Sequence, residues 1–418
     1  MSKRHFLLLF CLLNGALASA QGYSLEECRQ AARQAGKLDI LYEIADADRQ
    51  PGQRLARSPY QTSAYLYGQT SYQSDSPNPA SMTDFPFVLH PLSKYQYHAG
   101  VLLRQPIYSG GKRVLDSELD ALDRDEERLD LDLQGRQLDA AVDELYLGII
   151  LGRKRSEILR SQYNAIDIKL GDARRAFESG LSYKNTVLTL EAQLTGVEAQ
   201  LAGSEAETAG AERMLATLTG LPVDAATQLT LPAGAGGAAS DPGLAKLDLQ
   251  EQRIALMRKQ ARAAAMPNLS AFGIVDYGKW QLNFFEDKAA LSGMIGLSLV
   301  VPITGWRDAE QRGKLLSNAA RKLEIQRDEA QRRKEAALQQ YDAQIDKYDA
   351  LEAASRRAAA TYEALCEELD GMTRQGVAPA SDYLTALEQL AAARLDSEMY
   401  SILKLQLQLE RERYTTTL

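Results

Sequence analysis

Two hydrophobic periods alternate along this chain, and each occurs twice. Over residues 60–72, Tyr60, Thr62, Ala64, Leu66 and Tyr72 share one parity, while Gln61, Ser63, Gln69, Ser71 and Gln73 hold the other. A period of two predicts a strand with one apolar face. Residues 74–93, rich in Pro, Ser, Asn and Asp, predict a loop. A second run follows, in which Tyr95, Tyr97, Ala99, Val101 and Leu103 alternate with Gln96, His98, Gly100 and Arg104. The same event returns over residues 268–280 and 292–301, where Gly293, Ile295, Leu297, Leu299 and Val301 share a parity. Subtracting 196 carries these five onto Tyr97, Ala99, Val101, Leu103 and Gln105, so four of the five pairs turn the same kind of face outwards.

The other period is that of a helix seam. From about residue 113 to 172 there is no proline, which at about 1.5 Å per residue predicts a helix roughly 90 Å long. Its counterpart runs from about residue 308 to 372, with Leu338, Tyr341, Ile345, Tyr348, Leu351, Ser355, Ala358, Tyr362, Leu365, Leu369 and Met372 spaced by three and four. The returning helix repeats the spacing at Val187, Leu190, Leu194, Val197, Leu201, Ser204, Thr208, Ala211, Leu215 and Leu218. Heptad seams of this kind predict coiled coils, and their small residues let more than two helices approach. The last helix runs from about residue 380 to 413. Shorter helices are predicted over 24–34, opened by a Ser24–Glu27 capping box, over 38–57 with a kink at Pro51, and over 244–265.

Each strand run gives way to a long helix at a short junction, Pro106-Ile107-Tyr108-Ser109-Gly110-Gly111-Lys112-Arg113 in the first copy and Pro302-Ile303-Thr304-Gly305-Trp306-Arg307 in the second. Pro106 to Gly180 and Pro302 to Gly376 both span 74 residues, and each glycine marks a helix turn. The chain is therefore read as an internal duplication. The layout is a leader over 1–20, N-terminal helices over 21–59, a first hairpin over 60–109 and a first long helix pair over 110–220 turning near 180. A linker and helix over 221–267, a second hairpin over 268–303 and a second long pair over 304–418 turning near 376 complete it. The fold class expected is an α+β protein of duplicated units, each two strands plus long antiparallel coiled-coil helices.

Composition narrows the setting. Lys3 and Arg4, an apolar run over 6–13 and Ala18-Ser19-Ala20 form a secretory signal with Gln21 as first mature residue. Removing it takes the net charge from −8 to −10 and removes Cys11. An acidic balance argues against nucleic acid as partner. No other stretch approaches the roughly 18 apolar residues of a membrane helix, so membrane residence would be by strands. Such strands suit hairpins of a soluble sheet or a transmembrane barrel, and an outward face of Ile, Leu and Val without charge leans toward the barrel.

Candidate chemistry is sparse. Ser109-Gly110-Gly111-Lys112 lacks the spacing of a phosphate loop, and its glycines better serve a sharp strand exit. The carboxylate run Asp123, Asp125, Glu126, Glu127, Asp130, Asp132 is a solvated helix face. Gly234–Gly237 reads as a flexible linker. Cys28 and Cys366 read as packed helix residues, and His90 and His98 have no metal-ligand spacing around them. With no convergent catalytic set, no enzyme, cofactor or metal is expected.

Taken in order, the motifs resemble the TolC family of outer-membrane efflux channels. The residues carrying the resemblance are Tyr23-Ser24-Leu25-Glu26-Glu27, the two junctions, the turns Phe177-Glu178-Ser179-Gly180-Leu181 and Arg374-Gln375-Gly376-Val377, and Asp382-Tyr383-Leu384. It spans the whole mature chain. The resemblance implies a homotrimer in which each chain lends four strands to one barrel set in outer-membrane lipid. The barrel continues as a periplasmic α-helical barrel, belted by the short helices and the C-terminal end. It also implies a passive exit duct served by an inner-membrane pump and a periplasmic adaptor, the adaptor meeting the turns at Gly180, Leu181, Gly376 and Val377. Asp382 then falls where the family carries a constricting aspartate ring, while the second ring falls at Thr385. A tyrosine and an arginine that lock the family's tip fall at Thr373 and Ala378, leaving Arg374, Glu367 and Glu368 as charged candidates for closing it. The alternative from a different class is a periplasmic coiled-coil adaptor or scaffold with no barrel.

Overall fold

The computed structural model describes residues 22–75, 93–180, 183–232, 242–279, 288–375 and 377–415. The proposed leader, His90, the Gly234–Gly237 linker, Leu181 and Gly376 lie outside the described residues.

In chain order the elements are β1 (Gly22–Tyr23), α1 (Leu25–Ala35), α2 (Leu38–Arg57), β2 (Ser63–Tyr72), β3 (Tyr95–Tyr108), α3 (Lys112–Glu178) and α4 (Lys184–Thr219). There follow β4 (Gln228–Leu229), α5 (Pro242–Ala263), β5 (Asn268–Gly278), β6 (Ala290–Val300), α6 (Gly305–Arg374) and α7 (Ala380–Thr415). Adding 196 to both ends of α4 gives the ends of α7, and both helices have 36 residues. The duplication therefore sets the helix ends and not only the motifs.

The chain divides into two compact units. One comprises residues 1–42, 130–245 and 329–418 and is built on helix seams. Its first core packs Leu25, Cys28 and Ala32 of α1 against Val142, Tyr146 and Ile149 of α3, Leu215 of α4 and Leu409 of α7. Its second packs Leu159, Ile166 and Leu170 of α3 against Leu190 and Val197 of α4, Cys366 of α6 and Leu384, Leu387 and Leu390 of α7. Cys28 and Cys366 are both free thiols, buried in different cores. Ser24 caps α1, its hydroxyl accepting from the Glu27 amide while the Glu27 carboxylate accepts from the Ser24 amide. The two-residue strands β1 and β4 pair in parallel, with the Tyr146 hydroxyl 2.8 Å from the carbonyls of both Tyr23 and Thr230.

The helix seam departs from expectation at one point. Leu365 is 40% exposed and Cys366 takes its place in the core. A seam stepped by three and four drifts against a straight helix, and a step of four from Tyr362 to Cys366 in place of three restores its phase.

The other unit, residues 43–129 and 246–328, holds a four-stranded sheet in the order β2-β3-β5-β6, every neighbouring pair antiparallel. Two expectations shift here. β2 begins at Ser63 rather than Tyr60, because Ser58–Tyr60 forms a 3₁₀ turn with Pro59 near its start. β3 runs past Pro106 to Tyr108, with a register shift between them; proline has no N–H to give the ladder. Pro51 lies inside α2. α5 is held to α3 by Arg253, which reaches Asp123 at 2.5 Å and Glu126 at 2.7 Å, and by Gln260, which donates to Asp116 at 2.7 Å.

Candidate functional site

The sheet has two chemically different faces. Directly opposed residues in an antiparallel pair point the same way, so the register sorts the side chains. One face gathers Ala64, Leu66 and Tyr72 of β2, Tyr95, Tyr97, Ala99, Val101 and Leu103 of β3, Leu269, Val275 and Tyr277 of β5, and Leu291, Ile295, Leu297 and Leu299 of β6. No charged residue lies on it, Thr70 and Gln105 being its polar members, and most of it stands in the open, Leu66 at 86% and Ile295 at 90% exposure. Tyr72, Tyr95, Tyr97 and Tyr277 collect at the end where the β2–β3 and β5–β6 loops leave. A contiguous exposed apolar face marks a surface that meets lipid or protein, and the tyrosines sit where a membrane barrel has its aromatic girdle.

The opposite face carries polar groups. Tyr67 donates to Asp276 at 3.1 Å and Ser292 donates to its other carboxylate oxygen at 2.6 Å, so both oxygens are satisfied. The Tyr67 and His98 rings meet edge to face at 5.7 Å. Gln96, His98 and Ser270 are buried on this face, among apolar residues such as Leu102, Phe272 and Ile274. Among the described residues β2 and β6 are each paired along one side only, so a single chain presents an open sheet with two free edges.

The junctions explain how strands enter helices. Gly110 and Gly111 both adopt positive φ, +65° and +83°, between β3 and α3. A side chain at Gly110 would meet Met266 Cβ at 2.6 Å, whereas Gly111 has open space around it. At the second junction Gly305 is the first residue of α6 and packs on Pro302, and Trp306 is exposed.

The helix turns carry the remaining candidates. Gly180 ends the α3 turn at φ +74°, its amide donating to the Phe177 carbonyl at 3.0 Å. At the other turn the amide of Val377 donates to the Met372 carbonyl at 2.9 Å. Three large apolar side chains here face water, Phe177, Tyr183 at 81% and Val377 at 67% exposure. Asp382 is exposed in the first turn of α7, with Ser381 donating to it at 3.3 Å, and Thr385 is exposed one turn on.

One link at this end was not anticipated. Lys169 of α3 forms an ion pair with Asp370 of α6 and places its ammonium 4.7 Å from the centre of the Tyr383 ring of α7. Its side chain is only 9% exposed. Glu367 and Glu368 are instead exposed and make no ion pair among the described residues. A signal was available: Lys169 sits between the apolar seam residues Ile166 and Leu170, where a solvated lysine would be out of place.

Other buried charges hold helices together. Asp143 of α3 receives both Arg29 nitrogens at 2.7 Å and also pairs with Arg413 of α7. Burial alone would lower the Arg29 pKa, but the hydrogen bonds and charge of Asp143 outweigh it and raise it. Lys404 of α7 reaches Glu352 at 2.6 Å and Asp349 at 3.0 Å; the Glu352 hydrogen bond raises its pKa against the opposing effect of burial. Burial pushes the Cys28 thiol up to about 11. No group of His, Cys, Asp and Glu able to hold a metal occurs among the described residues, and no described helix is long and apolar enough to cross a membrane.

An open, one-sidedly apolar antiparallel sheet feeding duplicated coiled-coil helices is the fold of the TolC-type outer-membrane channels. Among solved structures, the chain is similar to the outer membrane protein VceC of Vibrio cholerae, with 15% identity, 93% of this chain and 96% of that one covered, and a TM-score of 0.73. It is similar also to the CmeC outer membrane channel of Campylobacter jejuni, at 13% identity over 96% and 90% of the two chains and a TM-score of 0.71. The open state of the Neisseria gonorrhoeae MtrE outer membrane channel matches at 14% identity, 96% and 93% coverage and a TM-score of 0.72. No protein-family model matches the sequence, and neither does any curated protein.

Proposed function

We propose that the chain is a subunit of an outer-membrane exit duct, a passive conduit for substrates delivered by an inner-membrane pump through a periplasmic adaptor. The observation that carries this reading is the sheet: one face uncharged, mostly apolar and largely exposed, the other carrying the polar and charged groups among apolar ones, and both edges free. In lipid an open sheet leaves backbone groups unsatisfied, so only closure into a barrel is stable. Three copies, each supplying its four strands, close such a barrel, with β6 of one chain against β2 of the next. The exposed faces of α2, with Ile40, Ile44 and Leu55, and of α6, with Leu315 and Ile325, are what neighbouring copies would cover.

The exposed Phe177, Tyr183 and Val377 support the two turns, Gly180–Leu181 and Gly376–Val377, as the adaptor-docking surface. Asp382, repeated in three copies, is the proposed cation-attracting constriction. The duct itself needs no catalytic group. Outer-membrane residence follows from the same fold.

The test is single-channel conductance of detergent-purified protein in planar bilayers, alongside a heat-labile oligomer band on a gel. Discrete channels with a trimer band are expected, and cation preference should weaken in Asp382→Ala. A detergent-independent monomer with no channels would overturn the duct in favour of a periplasmic scaffold. Channels unchanged by Asp382→Ala would keep the duct and remove the ring.

A further inference from the structure

The apolar face of β6 does not stop at the strand. Val301 and Ile303 continue its parity and stay exposed, and Trp306 follows in the first turn of α6. At Trp306, α5 and α6 border an open cavity of about 570 Å³ whose charged lining is Arg258, Arg262 and Lys314 against one carboxylate, Glu310. The Arg307 guanidinium lies 5.2 Å from the Trp306 ring, and Lys314 pairs with Glu310 at 2.8 Å. Arg258 and Arg262 are exposed, and neither guanidinium has an ion-pair or hydrogen-bond partner among the described residues. Elsewhere in this unit Arg49, Arg124, Arg253 and Arg327 are all paired.

The setting repeats around the sheet. The four segments that join strands to helices, residues 54–62, 104–115, 256–268 and 302–315, hold eleven Lys and Arg against two carboxylates, in a chain of net charge −8. Excess positive charge is concentrated where an exposed apolar face ends and a tryptophan begins. Tryptophan favours the membrane–water interface, and arginine holds phosphate by paired, charge-assisted hydrogen bonds.

We propose that this junction is a phospholipid-headgroup site, with the phosphate of an anionic phospholipid in the Arg258–Arg262–Lys314 cavity and its acyl chains along Val301 and Ile303. The site rests on the reading of the sheet as membrane-spanning, and the test separates the two. Continuity with the apolar face argues for a lipid over a soluble phosphate, and the cationic lining argues for an anionic headgroup over a zwitterionic one.

The sequence has two tryptophans, so Trp280→Phe leaves Trp306 as sole reporter. The full chain is reconstituted in phosphatidylcholine vesicles containing brominated phosphatidylglycerol or brominated phosphatidylcholine, and tryptophan quenching is compared. Phosphatidylglycerol should bind in preference by about fivefold per engaged arginine at low salt, and Arg258→Gln with Arg262→Gln should bring the two lipids level. Equal quenching before substitution, or a preference that survives it, overturns the site. A second reporter, Leu297→Trp in a chain lacking both native tryptophans, reads the sheet face. Quenching there with none at Trp306 means the cavity is covered by protein, which overturns the headgroup site and leaves the membrane reading standing. No quenching at either position overturns the membrane reading itself and the site with it.

Discussion

Replacing Lys169 by Met asks what holds the helix turns together. The substitution keeps the length and apolar stem of the side chain, so the core around Ile166 and Leu170 stays filled, and removes only the ammonium. Two contacts go with it, the pair with Asp370 and the cation over the Tyr383 ring. A fully buried pair costs about 3–5 kcal/mol when one partner is removed. Asp370 is 27% exposed and regains water, so about 1–2 kcal/mol is expected from that half. The ring contact adds about 0.5–1 kcal/mol. The sum, about 2 kcal/mol, corresponds to roughly thirtyfold in an equilibrium between joined and splayed turns. The assay is open probability in planar bilayers, with Asp370→Asn and the double variant completing a cycle. Lys169→Met should raise the open fraction by one to two orders of magnitude, and the two single effects should not add. An open fraction within twofold of the parent would refute the idea that this link closes the turn. Additive effects would show that the two residues act separately.

Four further outcomes follow from the same geometry. Ile295→Lys, placed mid-strand on the apolar face, should cost about 2–4 kcal/mol of folding in a bilayer, read by urea titration in vesicles; a neutral effect would mean that this face does not meet lipid. Gly110→Ala should be worse than Gly111→Ala, because both lose the left-handed conformation, about 1–2 kcal/mol, but only at Gly110 does the new methyl run into Met266; equal melting temperatures would contradict this. The Lys404 pKa is raised on folding, so its contribution is complete below its ordinary value of 10.5 and is lost as pH climbs through the folded value. Alkaline melts should therefore converge with those of Lys404→Met only above pH 10.5, and convergence already at neutral pH would remove that contribution. Cys28, buried and with its thiol pushed up to about 11, should resist alkylation until the chain unfolds, and rapid labelling of the native protein would show that its core opens.

The parts of the fold legible in sequence were those with a period. Parity alone assigned Val101, Leu103, Ile295 and Leu297 to one face, because a strand has only two faces to choose between. The last helix, expected over about 380–413, runs from Ala380 to Thr415, 196 residues beyond α4 at both ends. What sequence hid depends on phase or on partners far along the chain. Cys366 replaced Leu365 in the seam because a helix accumulates phase error over many turns. The run of β3 beyond Pro106 depends on β5 being there to pair with it. Lys169 and Asp370 are 201 positions apart and belong to different copies of the repeat, so the duplication that exposed the architecture gave no hint of their meeting. The buried Asp143 was equally hidden, its two arginines lying near opposite ends of the chain.

The two bare edges of the sheet have a consequence for assembly kinetics. Alternation of direction across four strands makes β2 and β6 run oppositely, so the trailing edge of any copy fits the leading edge of another in antiparallel register. Such a subunit is a self-complementary monomer in the polymer sense: one junction creates a dimer with the same two reactive ends, and nothing in the strand pairing limits growth. In the proposed barrel cyclisation would stop it, since the final junction is unimolecular and outcompetes addition of another chain whenever the ends meet at high effective concentration. A variant that blocks the last junction of that ring should therefore be caught as open oligomers rather than as free subunits.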